Sequence, residues 1–278
     1  MTNPVLLVSC NDRRGLIHNI TGLLLKAGAN IVSNQEFVDA ETSRFFMRTE
    51  FEDAAELEHL GESILTVLPP GADMRVQRPI RKRIVVMVSK EYHCLADILV
   101  RHSYRELAAD VVAVVGNHDV LRPLVEKFNV PFFLAASSDK SRDAHEAELL
   151  KILTPLAPDF LVLAKYMRIL SPAFVELWPD RIINIHHSFL PAFAGARPYH
   201  QAFDRGVKVI GATAHFVNHE LDSGPIIVQQ VIPVDHSHTP MSLIQAGRDV
   251  EQMVLSRALR LVFEDRVFLC GNRTIIFD

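Results

Sequence analysis

The sequence predicts an α/β fold made of two domains, and three observations carry this prediction. Residues 1–79 follow the order βαββαβ. From residue 85 onward, short and fully apolar segments alternate with helical patterns, which is typical of a parallel sheet covered on both faces. The stretch "RPIRKR" lies between these two patterns and indicates a solvent-exposed linker, which we place at residues 80–84. We therefore expect one domain at 1–79 and a second at 85–278.

The first domain contains four predicted strands and two predicted helices. "VLLVSC" is the first strand, and the helix after it has apolar residues at helical spacing and ends at Gly28. The strands "NIVSNQEFVD" and "SRFFMRTEFE" follow, and then a helix from residue 54 that Pro69 and Pro70 terminate. "DMRVQ" is the last strand. Two helices cover only one face of such a sheet, so the other face is open and we expect a homo-oligomer.

The second domain begins with five apolar segments that predict parallel strands: "RIVVMVS", "DVVAVVGN", "VPFFLAA", "FLVLAKY" and "RIINIHH". The segments between them have helical patterns. "VIGATAHFV" and "GPIIVQQVIPV" predict a hairpin, and a long helix from residue 240 and a last strand, "RTIIF", follow. Ligands of such sheets bind beyond the carboxyl ends of the strands.

Composition limits the function classes. The formal net charge is −4, so the chain has no overall basic field that would attract nucleic acid. The three cysteines are far apart in sequence, which argues against a disulfide framework. The first residues lack the features of a signal peptide, and no apolar run is long enough to span a membrane. We expect a cytoplasmic protein with neither nucleic acid nor membrane as a partner.

The segment "NIHHSFLPAF" puts unusual hydrogen-bonding capacity at the end of the fifth apolar strand. Strand alternation puts Asn184, His186 and Ser188 on one face and His187 on the other. An amide and an imidazole that project together suit the oxygen of a carbonyl that becomes tetrahedral. Asp222 follows the next strand and precedes a Ser-Gly-Pro turn, so it can supply a carboxylate that acts as a general base.

Two other interpretations of this segment stay open at this point. Five histidines fall between residues 186 and 219, which raises the possibility of a metal site. The HExxH motif is absent, however, and the residues after His215 continue a strand, where the spacing to His219 does not converge. We expect no metal. A purely structural role for the polar side chains is the remaining alternative.

The segments "NIHHSFLP", "GATAHFV" and "LDSGPI" occur in the order typical of the folate-dependent formyl-transfer hydrolase fold. With "CNDRRGLI" and "YMRIL", the chain resembles the formyltetrahydrofolate deformylase family along nearly its whole length. The resemblance implies an ACT-like first domain and a Rossmann-like, mostly parallel sheet of the formyltransferase type. It also implies hydrolysis of 10-formyltetrahydrofolate, the folate substrate, to tetrahydrofolate and formate, without a bound cofactor.

The resemblance also assigns site residues. The catalytic residues would be Asn184, His186 and Asp222, with His215 and Ser188 supporting them from behind. Backbone groups would bind the folate, because the edge of a pterin is a row of donors and acceptors. The residues expected to bind folate are Met167, Arg168, Ile169, Leu170, Val217 and Asn218.

In the first domain, the resemblance implies an amino-acid effector, for which we expect glycine or methionine. Backbone amides at the start of a helix suit a carboxylate, and nearby acidic and amide side chains suit an ammonium group. The effector residues would be Asp12, Gly15, Leu16, Ile17 and Asn30. The family usually has prolines in this loop where the chain has Asn11 and Arg14.

The first strand–helix turn of the second domain bears on the choice between hydrolase and transferase. A transferase that acts on a phosphorylated amine needs a glycine-rich turn for the phosphate. Here the turn "VSKEYHCLADIL" has no glycine, and Tyr92 is expected to fill it. Water is then the nucleophile. The alternatives are a folate-dependent formyltransferase that acts on an amine acceptor, and a non-catalytic amino-acid sensor.

Overall fold

The computed structural model describes residues 3–52, 57–138, 140–191 and 198–278. The start of the predicted second helix, at 54–56, lies outside these residues, as do residues 192–197 of the histidine-rich segment. The strands are β1 (Val5–Asn11), β2 (Asn30–Asp39), β3 (Arg44–Glu52), β4 (Asp73–Gln77), β5 (Lys82–Val88), β6 (Ala109–Gly116), β7 (Phe132–Leu134), β8 (Phe160–Leu163), β9 (Ile182–His186), β10 (Val209–Phe216), β11 (Ile226–Pro233), β12 (Val267–Cys270) and β13 (Arg273–Ile276). The helices are α1 (Leu16–Lys26), α2 (Leu57–Val67), α3 (His93–Ser103), α4 (Arg122–Glu126), α5 (Arg142–Leu156), α6 (Pro172–Val175), α7 (Pro198–Asp204) and α8 (Pro240–Phe263).

The first compact unit consists of Met1–Ile80, Glu264–Cys270 and Thr274–Asp278. Its four-stranded sheet has the order β2-β3-β1-β4, and the predicted βαββαβ order is confirmed. Helices α1 and α2 cover one face, where Ile20 and Ile64 pack against Leu6 and Val8 of β1. This burial of apolar side chains is the main stabilising contribution to the unit.

The opposite face of this sheet is covered by the end of the chain. Phe268 and Phe277 pack against Leu7 and Phe46, and the rings of Phe46 and Phe268 meet edge to face at 5.8 Å. We predicted an open face and placed 85–278 in the second domain, whereas the structure puts Glu264–Cys270 and Thr274–Asp278 with the first unit. The signal was in β1, whose unbroken apolar run predicts burial on both faces.

The second unit consists of Arg81–Phe263 and Gly271–Arg273. Its seven-stranded sheet has the order β11-β10-β9-β8-β5-β6-β7. The five strands from β9 to β7 are parallel, and β10 is antiparallel to both of its neighbours. The predicted Rossmann-like sheet is therefore confirmed. The carboxyl ends of five parallel strands meet at one edge, which is where a ligand site is expected.

Helix α8 is the longest helix of this unit and packs across β10 and β11. Its buried face is apolar except for Glu251, an acid on a stripe that otherwise contains residues such as Val250 and Val254. Within the described parts of the chain, this helix and the others fall short of the length and apolarity needed to cross a membrane.

Candidate active site

The predicted polar residues converge beyond the carboxyl end of β9. Asn184 and His186 come from β9, His215 from the antiparallel strand β10, and Asp222 from the loop that follows β10. All four line a cavity of about 400 Å³, which we call the Asp222 cavity. The structure thus brings together three side chains predicted to be catalytic and the histidine predicted to support them.

Asn184 is held by the strand opposite. It pairs in register with His215, and its Nδ2 donates a hydrogen bond to His215 Nε2 over 3.1 Å. His215 Nδ1 donates to the Phe216 carbonyl at 2.8 Å, which leaves Nε2 as the acceptor. Burial lowers the pKa of His215, so the neutral ring that this arrangement requires is favoured. The amide of Asn184 is thereby fixed in orientation.

Asp222 is held against both histidines by its loop. Its Oδ1 lies 3.3 Å from His186 Nδ1 and 3.8 Å from His215 Nε2. The backbone of Asp222 is left-handed, with φ of 54°, a conformation that Asp tolerates better than most residues. Gly224, two residues later, is required because a Cβ there would lie 1.9 Å from the Phe216 carbonyl oxygen. The hydrogen bond from His186 lowers the pKa of Asp222, which keeps the carboxylate ionised.

His186 presents one nitrogen that the protein does not use. Its Nδ1 faces Asp222, whereas Nε2 is buried and has no hydrogen-bond partner among the described residues. A buried polar atom without a partner is costly, so its persistence indicates a role for a ligand. His186 can therefore donate to an oxygen, or pass a proton to a nitrogen, in the Asp222 cavity.

All six residues predicted to bind folate line the Asp222 cavity: Met167, Arg168, Ile169, Leu170, Val217 and Asn218. The first four form a segment that is fixed at both ends. Met167 N donates to Ser89 Oγ at 2.9 Å. At the other end, the backbone N and Oγ of Ser171 both donate to the buried carboxylate of Glu146. The backbone that would read a pterin edge is thus ordered without a ligand.

Ser188 and His187, which follow His186, do not keep the predicted alternation of faces. Ser188 is buried outside the residues that line the cavity, and its carbonyl accepts from Thr213 Oγ1 at 2.9 Å. His187, placed by strand alternation on the opposite face, stacks on His186 with ring centroids 4.8 Å apart and lines the cavity. Strand β9 ends at His186, so the alternation no longer applies after it.

The predicted effector residues of the first unit do not converge within one chain. Gly15 has φ of 87° and precedes α1, Leu16 is buried and Ile17 is exposed, as a helix start requires. Asp12 follows Asn11, which pairs with Arg44 at one end of β3, whereas Asn30 pairs with Glu52 at the other end. At ~3.3 Å per residue these ends are roughly 26 Å apart. The prediction that Asp12 and Asn30 of one chain meet the same ammonium group is therefore wrong.

The first strand–helix turn of the second unit was also predicted wrongly. Ser89, Lys90 and Glu91 do not fill the site but line a second cavity, of about 660 Å³, which we call the Glu251 cavity. Sequence reasoning missed Lys165 and Glu251, which also line it. Both carried a signal: Lys165 ends an apolar strand segment, and Glu251 is an acid on the buried face of a helix.

The group of described residues that could hold a metal ion is His93, Cys94 and Glu251, whose ligand atoms lie within 4.8 Å of one another, and His93 and Glu251 line the Glu251 cavity. Their existing bonds oppose this use. Glu251 Oε2 accepts from His93 Nε2 at 2.7 Å and lies 3.0 Å from the Lys165 ammonium, and burial raises the pKa of the Cys94 thiol well above its usual range. A cation would have to displace the ammonium and ionise a buried thiol.

The chain is similar to known proteins over its whole length. The family described as formyl transferase matches residues 82–259, and the family described as ACT domain matches residues 4–67. A formyltetrahydrofolate deformylase of Escherichia coli is 53% identical over 276 residues, which cover 99% of each chain.

Among solved structures, a deformylase also superposes on more of the chain than a transformylase does. A formyltetrahydrofolate deformylase of Pseudomonas syringae pv. tomato superposes with a TM-score of 0.95 at 40% identity, over 100% of this chain and 95% of that one. A glycinamide ribonucleotide transformylase of Symbiobacterium toebii superposes with a TM-score of 0.68 at 31% identity, over 76% of this chain and 100% of that one. The similarity to the transformylase thus omits about a quarter of the chain, and the similarity to the deformylase omits none.

Proposed function

The chain belongs to the formyltetrahydrofolate deformylase family, and from that premise we propose that it hydrolyses 10-formyltetrahydrofolate with Asn184, His186 and Asp222 as its catalytic residues. The observation that carries the proposal is the unpartnered Nε2 of His186, which lies beside an oriented amide and an ionised carboxylate in one cavity. The pterin would lie along the segment 167–170, with the formyl group over Asn184 and His186.

The proposed reaction adds water to the formyl carbon. As the new C–O bond forms, the formyl oxygen becomes an oxyanion that accepts hydrogen bonds from Asn184 Nδ2 and from His186 Nε2, in its protonated form. The bond between the carbon and the folate nitrogen then breaks. The nitrogen gains a proton from His186 or from solvent, and the formic acid released loses its own proton to give formate. Asp222 then releases the proton of the water to solvent, from which His186 regains any proton that it gave.

Asp222 would orient the water and receive its proton. The lowered pKa of Asp222 makes it a weak base toward free water. Water that is bonding to carbon becomes far more acidic, however, so the carboxylate can take the proton as the C–O bond forms. The same carboxylate lies 3.3 Å from His186 Nδ1 and orients that ring. His215 and Ser188 would act only through the positions of these groups.

Incubation of the purified protein with 10-formyltetrahydrofolate alone, with formate measured over time, tests the proposal. Loss of one oxyanion donor costs ~10²–10³ in turnover in comparable sites, so we expect at least that loss for His186→Ala and for Asp222→Asn. His236→Ala and Asp204→Asn are matched controls, because both residues are exposed and lie outside the cavity lining. A folded Asp222→Asn protein with a near-normal rate would show that the assigned role is wrong.

We further propose that the first unit binds an amino-acid effector, glycine or methionine, and supports a homo-oligomer. The family match to the ACT domain supports this, as does the start of α1, where no side chain caps the helix and backbone amides can receive a carboxylate. Because Asn30 lies at the far end of the sheet, Asp12→Ala should weaken binding in calorimetric titrations while Asn30→Ala should not, unless a second chain contributes Asn30. Absence of binding of either amino acid by the wild type would leave assembly as the unit's role.

A further inference from the structure

The Asp222 cavity and the Glu251 cavity share one wall. Lys165, Met167, Arg168 and His187 line both of them. The Glu251 cavity lies beyond the carboxyl ends of β5, β6 and β8, and at about 660 Å³ it is large enough for a small organic molecule. The proposed hydrolysis needs only water on this side of the formyl group. Because the turn at Ser89–Glu91 is open, it does not explain how an amine is kept from attacking the formyl group in place of water.

Lys165 is the charged residue of the shared wall that is buried. Its backbone has φ of 62°, in the left-handed region where a residue with a side chain is uncommon. The side chain is only 9% exposed, and its Nζ lies 3.0 Å from Glu251 Oε2. A strained backbone and a buried ammonium at one position are both unfavourable for stability, which indicates that the position serves function.

The Lys165 ammonium is paired with the carboxylate of Glu251. His93 Nε2 and the hydroxyl of Tyr199 also donate to the carboxylate, each at 2.7 Å. Tyr199 can reach it because Gly247 has no side chain; a Cβ there would lie 2.1 Å from the tyrosine ring. Burial alone would raise the pKa of Glu251, but its bond from His93 and the Lys165 charge together lower it to about 2. Glu251 is thus an ionised carboxylate that faces a cavity beside the formyl site and already has partners.

We propose that Lys165 determines the selectivity for water over amines, because its ammonium occupies the carboxylate of Glu251 that would otherwise receive and deprotonate an amine. This inference rests on the proposed function. The remaining charges of the cavity act in the same direction. Glu91 is paired with Arg248 at 2.7 Å, so Lys90 and Arg168 leave the lining with a net positive charge that repels protonated amines. The attack of water does not depend on Glu251, because in the proposed mechanism Asp222 takes the proton of the water in the other cavity.

The competing reaction that Lys165 suppresses is formyl transfer. In it, the nitrogen of a neutral amine bonds to the formyl carbon, and the bond from that carbon to the folate nitrogen breaks. The amine loses one proton and the folate nitrogen gains one, so the products are a formamide and tetrahydrofolate. This transfer consumes no water and releases no formate. The ratio of formamide to formate therefore measures the selectivity directly, independently of the overall rate.

The test uses methoxyamine, a weakly basic amine that is neutral and nucleophilic at pH 7. The full-length protein is incubated with 10-formyltetrahydrofolate and methoxyamine, and formate and N-methoxyformamide are quantified. For Lys165→Gly, which also relieves the backbone conformation, we expect the formamide-to-formate ratio to rise at least about tenfold, or about 1.4 kcal/mol in relative barrier. The double variant Lys165→Gly with Glu251→Gln has the same added space but no carboxylate to receive the amine, so its ratio should stay near the wild-type value.

Lys151→Met is the matched control, because Lys151 is exposed on α5 and lines neither cavity. Thermal melts establish that each variant is folded. An unchanged ratio in folded Lys165→Gly would overturn the inference, and so would an equal rise in the double variant, since the effect would then come from space and not from Glu251. If the wild type released no formate without an amine, the proposed function itself would fail. Formate release with unshifted ratios would refute only the role of Lys165.

Discussion

Replacement of Glu146 should loosen the segment 167–170, where we propose that the folate binds, without changing the three proposed catalytic residues. Glu146 is buried on α5, and its two oxygens accept from the backbone N and the hydroxyl of Ser171, the residue directly after the segment 167–170. Hydrogen bonds to a charged group each contribute about 1.5–3 kcal/mol. The two bonds are not additive, and we expect Glu146→Ala to lower the unfolding free energy by about 3 kcal/mol.

The more conservative variant Glu146→Gln separates the effect of losing the charge from the effect of losing both hydrogen bonds. A Gln oxygen can still accept from Ser171 N, and its amide can donate to the hydroxyl, so only the charge is lost. We expect a loss of about 1 kcal/mol, or a fall of about 2–4 °C in Tm for a unit of this size, against about 6–12 °C for Glu146→Ala. Glu148→Gln is the matched control, because Glu148 pairs with Lys140 on the surface, where ion pairs contribute little.

In this series, steady-state kinetics separate an effect on folate binding, seen in KM, from an effect on the chemical step, seen in kcat. Disorder of the segment 167–170 weakens folate binding, so KM should rise about tenfold in Glu146→Ala, equivalent to about 1.4 kcal/mol, while kcat changes little. KM should follow the order wild type, Gln, Ala. A Glu146→Ala protein with wild-type Tm and KM would refute the reasoning, as would a fall in kcat at constant KM.

Three further outcomes are expected. Because the bond from His186 lowers the pKa of Asp222, the acid limb of the rate should lie below the ordinary carboxyl value of 3.8, and an acid limb above that value would contradict the role of Asp222. The pKa of Glu251 is lowered from 4.5 to about 2, so its ionised form stabilises the fold by roughly 3 kcal/mol above pH 4.5, and this is lost as the pH falls toward 2. Denaturant titrations at several pH values should show that slope in the wild type and not in Glu251→Gln. Extensive dialysis against EDTA should leave formate release unchanged, and a loss restored by one metal would indicate that the group His93, Cys94 and Glu251 is a metal site.

The sequence was informative wherever one local rule governs a segment. Strand β2 and helix α3 have the predicted bounds, because turn residues and helical spacing delimit them. Asn184 and His186 were singled out because polar residues that end an apolar strand are rare, and both line the Asp222 cavity. Asp12 and Asn30 were expected to lie together because both flank helix α1. The helix runs from one end of the sheet to the other, so the two residues lie at opposite ends of it. Lys165 was missed because neither its backbone conformation nor its pairing with Glu251, 86 positions later in the chain, is visible in a local pattern.

The last strands have a consequence for synthesis of the protein on the ribosome. The first unit is made first, but the face formed by Leu7 and Phe46 is covered only when Phe268 and Phe277 arrive. Translation proceeds at ~5–20 residues per second, so that apolar face waits roughly 10–40 s after residue 80 is added. During this interval the nascent sheet offers a surface that chaperones recognise and that neighbouring nascent chains can aggregate on. A stop codon that removes only the last fifteen residues would make this transient exposure permanent, although every proposed catalytic residue would still be encoded.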